Sequence, residues 1–114
     1  MTTRIKKIEL LELLNELGSH SLYFAAPLSK RLLDCGLSVT VLPDDQGLII
    51  EGRSVYLSIP EWGNPGISTL SVLSLVFEMV TGEKPISEMT GRGFWYRDVL
   101  TQLAEFWNID ANYL

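Results

Sequence analysis

Residues 67–81 are almost wholly apolar, with Leu70, Val72, Leu73, Leu75, Val76, Phe77, Met79 and Val80 interrupted by Ser68, Thr69, Ser71, Ser74 and Glu78. At about fifteen residues the run is shorter than the roughly 20 needed to cross a bilayer, so it predicts a buried central helix rather than a membrane span. Gly82 suits the end of that helix, and Pro85 prevents early resumption. Ser68, Ser71 and Ser74 recur every third residue, a seam of small side chains that permits close packing within one chain or between two copies.

The material around this run is mixed in period. Ile5, Ile8, Leu10, Leu11, Leu13, Leu14 and Leu17 recur at helical steps, with charged residues between them, so residues 3–17 read as an amphipathic helix. Thr3 is the expected cap, and Gly18 the expected left-handed stop. A second helix is expected over 27–35, with Pro27 in its first turn, Gly36 at its end and Leu28, Leu32, Leu33 and Cys35 facing inward. The pattern then alternates. Residues 37–41, 48–51 and 54–59 read as strands joined by a Pro43 to Gly47 turn and a tight Gly52-Arg53 connection, with Val55, Leu57 and Ile59 on the buried side. A last helix is expected over 94–108, with Val99, Leu100, Leu103, Phe106 and Trp107 at helical spacing. These elements imply an α+β fold in which a short antiparallel three-stranded meander packs against about four helices. A chain of 114 residues is expected to form a single domain, 1–114, that buries roughly two thirds of its unfolded surface.

Catalytic chemistry finds few groups to work with. The chain has one histidine, His20, and one cysteine, Cys35, the latter expected on an apolar helix face where thiols are usually inert. One Cys and one His cannot complete a tetrahedral zinc site, and no His-x-x-x-His or Cys-x-x-Cys spacing occurs. Asp44, Asp45, Gln46, Gly47 and Glu51 lack the ligand spacing of an EF-hand, and a hairpin turn accounts for them. The expectation is therefore a protein that is not an enzyme, with no metal and no cofactor. The lone cysteine and the lack of a signal-peptide pattern at the start point to a reducing, cytoplasmic setting.

The formal charge of -5 disfavours nucleic acid and anionic membrane surfaces as partners. The order helix, helix, hairpin resembles that of a winged-helix DNA-binding regulator, which would place Lys30 and Arg31 on the recognition helix, but the resemblance is one of element order alone. A second alternative is an anion site at Gly91, Arg92 and Gly93, directly before the last predicted helix.

Binding to another protein is the expectation favoured over both. Glu9, Glu12 and Glu16 fall on one stripe of the first helix and form a docking strip for a partner of basic character. Trp62 sits in a loop rich in glycine and proline, and Trp95 and Tyr96 lie on a helix whose five rings exceed what one face can bury. The partner surface predicted from sequence thus comprises Trp62, Trp95, Tyr96, Glu9, Glu12 and Glu16, in an adaptor, inhibitor, immunity or accessory factor, with a second copy of the chain as another occupant.

Overall fold

Leu10, Leu11, Leu13, Leu14 and Leu17 are each at most 1% exposed, so these leucines of the first helix are sealed in the core, while Ile8 near its start is 40% exposed and its Glu9, Glu12 and Glu16 side stays in water. The structure, a computed structural model, describes residues 5–59, 63–85 and 92–110, with the backbone alone for 92–94. Within them run α1 (Lys7–Leu17), β1 (Leu22–Tyr23), α2 (Ala25–Asp34), β2 (Val39–Val41), β3 (Gly47–Ile50), β4 (Arg53–Ser58), β5 (Gly66–Ser68), α3 (Thr69–Thr81) and α4 (Arg92–Phe106). The class is α+β. Thr3 lies outside the described residues.

The expected meander is enlarged. β2, β3 and β4 pair antiparallel in sequence order, but β5 adds to β4 and β1 adds to β5, so the sheet has five strands in the order β1-β5-β4-β3-β2. The two additional strands are short, two and three residues, and give no readable alternation. Ile67 and Ser68, expected inside the apolar helix, belong to β5. Ser68 then caps α3 by accepting the Ser71 N–H on its side chain.

The Ile50 to Arg53 connection is a two-residue hairpin in which Glu51 and Gly52 both have positive φ, 50° and 82°. That twist matches the twist of the flanking strands. Glu51 takes this conformation while its carboxylate accepts the Ser38 N–H at 2.8 Å and its own N–H donates to the Ser38 carbonyl at 2.8 Å.

One face of the sheet carries Leu48, Ile50, Val55 and Ile67, all buried. The other carries Thr40, Ser54 and Tyr56, all exposed. α2 packs on β2 and β3, and α3 packs on β4, β5, α1 and α4. Gly82 ends α3 in the left-handed conformation, φ 81°. Gly18 does not end α1 that way. Its φ is -63° and its ψ -18°, ordinary helical values.

Besides Ile8, three apolar residues expected inside lie outside. Leu33 is 50% exposed because Leu28, Leu32 and Cys35 already form the buried stripe of α2. Ile59 is 77% exposed, one residue beyond the end of β4. Phe106 is 57% exposed at the last position of α4, where Leu103 and Ala104 take the core side instead.

Candidate binding site

The turn between α1 and β1 is tied down on both sides. Ser19 donates its hydroxyl to the Glu16 carbonyl at 2.7 Å, and the His20 N–H donates to the Leu17 carbonyl at 3.0 Å, which holds the turn to the last turn of α1. From the other side, buried Thr69 donates its hydroxyl to the His20 carbonyl at 2.6 Å, and its N–H donates to the Ser21 carbonyl at 3.3 Å. β1 follows at once, with Leu22 opposite Ser68 and Tyr23 opposite Ile67. The His20 and Tyr23 rings meet edge to face at 6.2 Å.

This arrangement leaves two clefts. The first, of about 430 Å³, is walled by residues 18–22, by Ser58 and Ile59 at the end of β4, by Ser68, Thr69 and Leu70 at the β5 to α3 junction, and by Tyr96 of α4. The second, of about 440 Å³, is walled by Tyr23, Phe24, Asn64, Pro65 and Gly66. His20 and Leu22 belong to both. The clefts therefore follow one another along β1, at the edge of the sheet. Each has an exposed apolar side chain on its wall, Ile59 in the first and Phe24, 60% exposed, in the second.

The walls carry hydroxyls, an imidazole and apolar groups. Neither wall includes a described Asp, Glu, Lys or Arg. No lining carboxylate orients the His20 ring, and the Ser19 and Thr69 hydroxyls are both donated to backbone carbonyls. A nucleophile needs a base in reach and a base needs orienting, and the described residues do not bring those parts together. Cys35 lines neither cleft. It is 5% exposed, and burial pushes its thiol up, with nearby Arg31 opposing. Among the described residues no three His, Cys, Asp or Glu side chains gather as metal ligands, and no helix is long and apolar enough to cross a membrane.

Tyr96 is a correction to the sequence-predicted surface. It is 5% exposed, because its ring lies against Gly18, where a Cβ would come within 2.8 Å of the Tyr96 Cδ1 and Cε1. Gly18 is thus required for close approach and not for backbone conformation. The Tyr96 hydroxyl has no hydrogen-bond partner among the described residues, and burial raises its pKa far above the ordinary value.

Trp95 is half-buried and packs against the core, and Trp62 lies outside the described residues. Glu9, Glu12 and Glu16 are exposed on α1, as an acidic strip requires. Glu16 is partly neutralised, since Arg31 reaches it at 2.7 Å. Glu16, then Tyr23, holds the Arg31 guanidinium more firmly protonated than usual. Of the expected anion site, Gly91 lies outside the described residues, while Arg92 and Gly93 fall inside α4 rather than before it.

Of the residues lining the clefts, the sequence-predicted surface contains only Tyr96; Gly18, Ser58, Ser68 and Thr69 are among those it lacks. Each reads alone as a helix stop, a strand residue or a break in an apolar run. Comparison with protein-family models, with curated proteins and with solved structures found no match.

Proposed function

We propose that this chain is a non-catalytic cytoplasmic interaction protein that receives an extended segment of a partner protein along β1. The observation that carries the reading is the pair of clefts that share Leu22, on an edge strand, and His20, in the turn just before it. An added strand gains main-chain hydrogen bonds from such an edge, and alternate side chains, about 7 Å apart, enter successive pockets on one face. Ile59 and Phe24 supply apolar contact at the two ends.

The net charge of -5 and exposed Glu9 and Glu12 favour a partner with basic residues beside the docked segment. The same charge, and the engagement of Arg31 by Glu16, weigh against duplex DNA as the partner. A reducing compartment suits the lone buried thiol.

The test is selection of random heptapeptides on the immobilised chain, followed by affinity measurement on Phe24→Asp and Ile59→Asp. Both side chains are largely exposed, so the melting temperature stays nearly unchanged while binding weakens at least tenfold. Peptides that bind both variants as well as the parent chain would place the interaction elsewhere.

A further inference from the structure

β2 forms the far edge of the sheet, and the bonds it makes to β3 show which of its main-chain groups are left over. The Leu42 N–H donates to the Gly47 carbonyl at 2.9 Å and the Glu51 N–H donates to the Ser38 carbonyl at 2.8 Å, so Ser38, Thr40 and Leu42 turn toward β3. Val39 and Val41 therefore turn their N–H and C=O groups away from it, and among the described residues no strand lies beyond them. Charge, proline and bulges commonly protect such an edge, and residues 39–41 carry none of these. Val41 stands opposite buried Leu48, on the face the helices cover, yet it is 39% exposed.

This edge is complementary to itself. Two copies related by a twofold axis through Thr40 pair antiparallel, with Val39 of each opposite Val41 of the other and main-chain bonds exchanged both ways at each such pair. Each exposed Val41 is then covered by a valine, and the two Thr40 side chains meet as a favourable cross-strand pair on the open face. The next pair of this kind would be Leu37 with Pro43. Proline has no N–H to give, and the Leu37 N–H is already donated to the Leu32 carbonyl at 3.2 Å, so the pairing begins and ends with residues 39–41. An unrelated strand would gain the same main-chain bonds but must bring its own apolar match, which a second copy already has.

We propose that β2 is a self-association edge, at which two copies of this chain pair antiparallel about Thr40 and join their sheets into one. The inference does not draw on peptide docking along β1, which lies at the opposite edge of the sheet. The net charge of -5 on each copy opposes association, so the dimer is weak and fills as concentration rises.

The experiment is sedimentation equilibrium of the full chain at concentrations up to about 1 mM, where the mass should rise from that of one chain toward that of two. Val41→Pro removes an N–H that the chain's own ladder does not use, in an edge position where proline is tolerated, so it should keep the fold and weaken dimerisation at least tenfold. Thr40→Cys sets two thiols opposite each other at a Cα separation of about 4.5 Å, within the reach of a disulfide, so mild oxidation should link the copies. Ser54→Cys, exposed on the same face but on an inner strand, should stay largely unlinked, and Cys35 is too buried to contribute. A parent chain that remains monomeric, a mass that climbs past two chains, or equal cross-linking of Thr40→Cys and Ser54→Cys overturns the inference, whether or not Val41→Pro folds. A dimer that a folded Val41→Pro leaves undiminished overturns it as well.

Discussion

Thr69, 1% exposed at the first turn of α3, donates its hydroxyl to the His20 carbonyl at 2.6 Å across 49 positions of sequence. Through that bond the start of α3 positions the turn that both clefts share. Thr69→Val keeps the shape and removes the donor, leaving a carbonyl at a part-buried site. The expected loss is about 1–3 kcal/mol in a urea titration, with faster amide exchange at residues 19–22. Unchanged exchange there would mean that the bond does not hold the turn.

Gly18→Ala sets two effects against each other. The position has ordinary helical φ and ψ, so replacing glycine should stabilise by about 0.5–1 kcal/mol through the unfolded state. The new methyl meets the Tyr96 ring at 2.8 Å, and overpacking of a buried ring costs about 1–3 kcal/mol. The clash wins, and the melting temperature falls. A rise would show that Tyr96 yields easily, and that the first cleft is not held in shape by this contact.

Alkaline pH separates the folded and unfolded chains. Desolvation raises Tyr96 above its ordinary 10.0, and burial raises Cys35 above 9.0. In the unfolded chain both groups ionise first, so between the unfolded and folded values the native state binds more protons and stability falls as pH rises. The contribution is complete below about pH 8.5 and declines above it, first through Cys35 and, from about pH 10 upward, through Tyr96. The urea midpoint should follow that course, and Tyr96→Phe should remove the part of the decline above about pH 10. A midpoint that stays level through this range contradicts the burial of both groups.

Where the fold was legible in the sequence, a period ran long enough to be read. Leu10 to Leu17 in α1 and the alternation through Leu48 and Val55 placed the first helix and the meander, because each spans at least a helical turn or several strand residues. β1 and β5 were hidden for the opposite reason. Leu22–Tyr23 is too short to alternate, and Ile67 sits against an apolar helix whose composition absorbs it. The burial of the α4 rings is not legible in the sequence, because rotation about one axis does not say what lies across from it. Tyr96 is covered by the end of α1 at Gly18, whereas Phe106 emerges where the helix stops. The clefts draw on separated stretches of chain, around residues 18–24, 58–59, 64–70 and 96, with no motif among them, so hydroxyls such as Ser58 and Thr69 acquire their setting only in the fold.

Docking along β1 is tested most directly by mapping amide chemical shifts of the chain as a selected heptapeptide is titrated in. Changes concentrated at residues 19–24 and 64–70, with protection of the Leu22 and Tyr23 amides, are the predicted result. Changes centred on the exposed ends of α4 or β2, with residues 19–24 unmoved, would contradict it.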